Sequence, residues 1–143
     1  MSFDEEIDSV RTQCLSLFGP TVLGVSGGVI ESLAQHRLLD SGIYIGIVDI
    51  KATEDAMQLF DSIARSCGFP GYFGRNWDAL KDCLLDFSWV SPKPHGIVLL
   101  FRHPEMMNWT DIAKFIIVCE SVRMVYAKSK KPFKVLMATR TQR

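Results

Sequence analysis

Three short apolar runs, rich in β-branched residues, constrain the fold of this chain more than any other feature. They lie at residues 43–50, 96–101 and 133–138. The first two are nearly continuous rather than alternating, the pattern of strands covered on both faces. Such strands are joined by helices, and the intervening sequence has helical spacing. Ala56, Phe60, Ile63 and Cys67 recur on one helical face. Thr53 offers that helix an N-cap, Glu54 and Asp55 suit its first turn, and Gly68 and Pro70 end it. Asn76 caps a second helix over residues 77–87. Asn108 and Asp111 resemble a capping box, followed by a stripe of Ile112, Phe115, Ile116, Cys119, Val122 and Tyr126. The order strand, helix, helix, strand, helix, strand predicts an α/β fold. A small parallel sheet of three strands packs with helices through right-handed crossovers.

The first forty residues are less regular. Ile7, Val10, Cys14, Leu17 and Phe18 predict a helix over residues 4–18, stopped by Gly19-Pro20. Residues 21–25 can form a short strand, which would make the sheet four-stranded. Ser26-Gly27-Gly28 reads as a flexible link before a helix over residues 30–39. The expected organisation is an N-terminal helical extension, residues 1–40, packed on a domain of residues 41–143. A chain of 143 residues can bury a core without metals or disulfides.

Sixteen basic and sixteen acidic residues balance, which argues against a globally basic nucleic-acid binder. The charge is nevertheless polarised. Residues 1–50 carry seven acids and two bases, whereas residues 101–143 carry nine bases and three acids. Cys14, Cys67, Cys83 and Cys119 show neither C-x-x-C nor zinc-ligand spacing and read as buried free thiols of a reducing compartment. The acidic N-terminus is no signal peptide, and no apolar stretch approaches the ~20 residues of a membrane span. The expected location is cytoplasmic.

Residues 77–87 are the most specific segment. Trp77, Leu80, Leu84 and Phe87 make one apolar face; Asp78, Asp82 and Asp86 make an acidic ridge at i, i+4 and i+8. Each like-charge i,i+4 pair costs an isolated helix about 0.2–0.5 kcal/mol. Asp78 is favoured by the helix dipole and Asp86 opposed by it, while Lys81 can offset part of the repulsion. Tyr72-Phe73 stands just before the ridge, between Gly71 and Gly74. A ridge of this kind is either a solvated face or a recognition surface for a basic site. Exposed aromatics beside charge are typical of interface anchors, the alternative for Tyr72 and Phe73 is core packing under the loop, and one of the two is expected to pack inward.

The run Gly71-Tyr72-Phe73-Gly74-Arg75-Asn76-Trp77-Asp78-Ala79-Leu80-Lys81-Asp82-Cys83-Leu84 resembles the hallmark of the barstar family, intracellular inhibitors of ribonucleases. The order of elements from residue 43 to residue 138 agrees with it. The resemblance implies a loop and helix that plug the enzyme's RNA-binding cleft. Asp82 then takes the place of a substrate phosphate, Asp78 supplies a second acidic contact, and Tyr72 covers a catalytic histidine. Gly74 and Asn76 match loop positions that meet the enzyme, and Phe73, Lys81 and Asp86 complete the expected contact set. A carboxylate can mimic a phosphate oxygen pair when met by a bidentate Arg. Lys81 stands where the family's founder has an aromatic, and Arg75 replaces an acidic loop residue. The founder's final-helix carboxylate falls by spacing on Tyr126. These departures imply a different target, a barnase-like or other microbial ribonuclease toxin.

The resemblance implies no cofactor and no enzymatic activity. As an enzyme, the chain would have to use carboxylates of one type on one face, with His36, His95 and His103 each standing alone. Gly24-x-x-Gly27-Gly28 lacks the spacing of a dinucleotide loop. Two further readings stay open. One reuses the barstar-like fold to bind a partner that is not a ribonuclease. The other binds nucleic acid through Lys128, Lys130, Lys131 and Lys134, although that run lacks interleaved aromatics. No membrane partner and no direct nucleic-acid contact are expected of the main reading, and the oligomeric state is open.

Overall fold

The three apolar runs form strands of one sheet, seen here in a computed structural model that describes residues 2–36, 42–50 and 55–139. Strand β2 is Ile43–Asp49, β3 is Gly96–Arg102 and β4 is Phe133–Thr139. A fourth strand, β1, is Val22–Ser26. All pairings are parallel and the strand order is β1-β4-β3-β2. Helices α1 (Phe3–Cys14) and α2 (Gly27–His36) flank β1 in sequence. Helices α3 (Ala56–Cys67) and α4 (Trp77–Asp86) join β2 to β3. A one-turn 3-10 helix, Pro104–Met106, and α5 (Trp109–Lys128) join β3 to β4. No helix of the described residues is long and apolar enough to cross a membrane.

Strand alternation sorts the core into two layers. Ile97, Leu99, Phe101, Phe133 and Val135 face one side and pack under α3, α4 and α5. Val98, Leu100 and Leu136 face the other and pack under α1 and α2. Burial on both sides explains why β3 shows no hydrophobic alternation. At Gly46 an added Cβ would lie 2.8 Å from Ser66 Oγ and 3.0 Å from Leu99 Cδ2, so glycine lets α3 lie close against β2.

Polar bonds fasten the chain that leads into β1. Lys134 Nζ donates to Phe18 O and Pro20 O at 2.8 and 2.9 Å. Arg123 donates to Leu17 O at 3.1 Å, Thr21 Oγ1 donates to Glu120, and Val135 N donates to Thr21 O at 2.9 Å. Lys134 is only 1% exposed. Burial, and then Arg123, holds its amine below the ordinary lysine value. On the same side of the sheet, Arg102 forms a two-bond fork with Glu31 of α2, both bonds 2.8 Å.

Several boundaries differ from the sequence reading. The first helix ends at Cys14, and Phe18 lies beyond it, 74% exposed. Ser26-Gly27-Gly28 is no flexible link. The glycines open α2, where Ser26 Oγ accepts from Val29 N and burial of Val29, Ile30 and Leu33 outweighs weak glycine propensity. Residues 37–39, the expected end of that helix, lie outside the described residues. So do Thr53 and Glu54; the cap of α3 is Asp55, which accepts from Met57 N and Gln58 N. Only half of the box at α5 forms among the described residues. Asn108 Oδ1 accepts from Asp111 N at 2.9 Å, while buried Asp111 Oδ2 has no partner. Aspartate is a methylene shorter than the usual Glu, which explains the missing return bond. Ile116 turns outward rather than joining the α5 stripe. Lys134, grouped in sequence with three surface lysines, is inside because its place in β4 turns it toward the α1–α2 layer. All four cysteines are buried and free.

Candidate functional site

Helix α3 ends at Gly68, whose φ of 65° is the left-handed conformation glycine tolerates best. The chain then turns, with Phe73 N donating to Pro70 O at 3.0 Å. An aromatic cluster holds this loop. Phe60 meets Trp77 at 4.9 Å between ring centroids, Phe69 meets Phe73 at 5.0 Å, and both contacts are edge-on. Phe69 also meets Trp89 at 5.6 Å, and Trp89 Nε1 donates to Cys67 O at 3.0 Å. Edge-on ring pairs each add about 0.5–1.5 kcal/mol beyond area burial. Phe73 is therefore a packed residue, and the neighbouring Tyr72 is forced outward, 70% exposed.

Two polar arrangements fix the loop tip. Arg75 has φ 54° and reaches back to α3, donating to both carboxylate oxygens of Asp61 at 2.9 and 2.8 Å. Its charge is paired there rather than added to the acidic face of α4. Asn76 caps α4: Oδ1 accepts from Ala79 N at 2.8 Å and Nδ2 donates to Gly74 O at 3.3 Å. The loop and the helix start are thus one hydrogen-bonded unit.

Helix α4 buries Leu80, Cys83 and Leu84, with Phe87 buried at its C-cap and Trp77 half-buried. Tyr126 of α5 donates its hydroxyl to Leu84 O, tying the two helices together. This buried role places the spacing-derived counterpart of the family's final-helix contact in the core.

The opposite side of α4 presents Asp78 and Asp82, both exposed and one turn apart. Neither takes part in an ion pair among the described residues, and Lys81, half-buried between them, pairs with neither. Asp86 is engaged differently. It accepts from Ser88 Oγ at 3.1 Å and lies 3.5 Å from the Tyr72 hydroxyl. The Tyr72 phenol is raised by local desolvation, then by the Asp86 carboxylate, and stays a donor. The Cys83 thiol is likewise raised by burial, then by Asp86 and Asp82, which leaves it protonated and unreactive.

The eight residues singled out in the sequence therefore share one loop and one helix. Tyr72, Gly74, Asn76, Asp78 and Asp82 are exposed, Lys81 and Asp86 are half-buried, and Phe73 supports them from beneath. Sequence reasoning missed the Arg75–Asp61 fork and the Asp86–Tyr72 contact. Both join residues fourteen apart across a turn, and no local spacing signals them. Asp78, Asp82 and Tyr72 thus form an exposed surface that is both acidic and aromatic.

A search of curated proteins returned no match. A family model described as Barstar (barnase inhibitor) matches residues 45–138. The matched region holds α3, α4, β3 and α5, most of β2 and β4, the exposed carboxylates and the aromatic loop, and it spans more than half of the sequence: the chain belongs to the barstar family.

Proposed function

We propose that this protein binds a ribonuclease and blocks its active site, with α4 and the loop before it as the plug. The observation that carries this reading is a pair of exposed carboxylates without ion-pair partners, Asp78 and Asp82, beside an exposed Tyr72 on a loop fixed from below by rings. Unpaired acids one turn apart repel each other, and a cluster of Arg, Lys and His in a phosphate-binding cleft relieves that repulsion. Asp82 takes the substrate phosphate's place, Asp78 adds a second contact, and Tyr72 covers the catalytic imidazole. The Gly74 and Asn76 backbone lines the rim. Lys81 and Asp86 at the edges tune the choice of enzyme. The protein acts by occupancy, without chemistry of its own and without a cofactor. Its target is a microbial ribonuclease of the barnase-like or toxin kind, met in the cytoplasm as self-protection or immunity.

Titration against a panel of barnase-like and other microbial ribonucleases, read as RNA cleavage, tests the proposal. Stoichiometric inhibition of one enzyme that is lost in Asp82→Ala is the expected result. Inhibition that survives Asp82→Ala would place the contact elsewhere.

A further inference from the structure

Helix α5 carries apolar side chains on both of its faces. Phe115, Cys119, Val122 and Tyr126 are buried toward the sheet. Trp109, Ile117 and Met124 point outward and are 84, 67 and 56% exposed, with exposed Ile116 and Val125 beside them. A helix that is apolar all round is ordinarily covered all round. The segments of this sequence outside the described residues are too short to cover its length. Each has five residues or fewer, about 18 Å when extended, whereas α5 has 20 residues and spans about 30 Å.

The outward face matches itself. Trp109, Ala113, Ile117, Ser121 and Val125 recur every fourth residue, a surface ridge in which large and small side chains alternate. Ile117 is its midpoint, with Ala113 and Ser121 four residues away on either side and Trp109 and Val125 eight. The ridge therefore reads the same in both directions, as a two-fold interface between identical chains requires. Laid antiparallel about Ile117, a second α5 brings Ile117 beside its mate. It brings Trp109 beside the partner's Val125 and the partner's Met124, where ring meets thioether. Ala113 and Ser121 leave room for the two backbones to approach, and the Ser121 hydroxyl already donates to Ile117 O at 3.2 Å. Lys114 comes level with the partner's Glu120, so the charges nearest the axis are of opposite sign. The five exposed apolar residues offer roughly 600 Å² per chain, or about 1,200 Å² for a pair, the lower bound of a specific interface.

We propose that two copies of this chain associate through α5, antiparallel about Ile117, as a weak and reversible dimer. The area of the contact sets the expected dissociation constant at about micromolar or weaker.

Sedimentation equilibrium of the full chain, from low micromolar to submillimolar concentration, tests the pairing. The mean mass is expected to rise from that of one chain toward that of two. Ile117→Lys puts a charge at the axis in place of a side chain that is already exposed. The fold is retained and association is expected to weaken about tenfold or more. Met57→Lys, at an exposed apolar site on α3, is expected to leave association unchanged. Cross-linking under a mild thiol oxidant reads the direction of the helices. Ile117→Cys is expected to join to its mate, whereas Thr110→Cys, which an antiparallel pair holds far apart, is not. A single-chain mass at every concentration overturns the proposal. So does association untouched by Ile117→Lys or equally weakened by Met57→Lys, and so does cross-linking of Thr110→Cys as readily as Ile117→Cys. No ribonuclease enters these measurements, so their outcome is independent of ribonuclease inhibition.

Discussion

On one face of the sheet, Phe101, Phe115, Phe133 and the rings around Phe60 pack α3, α4 and α5 into an apolar layer. On the other face, α1 and α2 rest on aliphatic Val98, Leu100 and Leu136, and the chain entering β1 is fastened by Lys134 of β4 together with Arg123 and Glu120 reaching over from α5. The first layer is held by shape and carries the acidic ridge on rigid rings. The second depends on charged groups bonded at its margin. Damage to the first should therefore reach the proposed binding surface, whereas damage to the second should change stability and its pH dependence while sparing that surface.

The strongest test of that division is Phe60→Ala. Phe60 is buried and touches both Phe73 and Trp77, so its removal should cost about 3–5 kcal/mol in urea unfolding. It should also weaken ribonuclease binding, because the loop under Tyr72 loses its support. Undiminished binding at full loss of stability would separate the rings from the site. Next is Asp82→Ala, expected to weaken binding by about 2 kcal/mol or more, as interface hot spots do. Because Asp82 is exposed and outside any ion pair, stability should stay within about 0.5 kcal/mol of the parent. Asp78→Ala and Tyr72→Ala should follow with smaller losses of affinity.

On the other face, Lys134→Met takes the ammonium donor from Pro20 O and from Phe18 O, which keeps only the Ser16 hydroxyl, and should cost about 1–3 kcal/mol. Ribonuclease binding should be unchanged, and a matching loss of affinity would break the comparison. Alkaline pH gives a smaller effect. Burial pushes the Cys14 and Cys67 thiols up to about 12, against 9.0 for the free group. The unfolded chain ionises first, so this contribution to stability is complete below pH 9 and is lost as pH rises toward 12. Unfolding midpoints should fall over that range, and less steeply in Cys14→Ala. The smallest effect concerns Glu120, whose carboxyl is lowered by bonds from Arg123 and Thr21. Its contribution is present above the ordinary value of 4.5 and is lost as pH falls through the lowered one. Glu120→Gln should flatten the acid side of the stability curve, measured by urea unfolding from pH 5 downward.

The central strands were legible because burial on both faces leaves continuous β-branched runs, and α4 because Asn76 and its apolar spacing agree. The starts of α2 and α3 were not. Thr53 and Asp55 are both competent caps, and local chemistry alone does not choose between them. Gly27 and Gly28 look like a hinge until the tertiary burial of the residues after them is known. Lys134 looked like surface because a count along the chain cannot show which way a strand residue points. At the candidate site the exposed acids could be read from spacing. The pairing of Arg75 with Asp61 could not, because it depends on how the loop folds back over α3.

The central claim is that the acidic face of α4 fills a ribonuclease active site. Displacement of a mononucleotide already bound in the enzyme's cleft tests it most directly, followed by the nucleotide's fluorescence or NMR signal. The account predicts release of one nucleotide for each protein bound, with Asp82→Ala releasing it only at much higher concentration. A ternary complex, in which enzyme, nucleotide and this protein stay together, would contradict it.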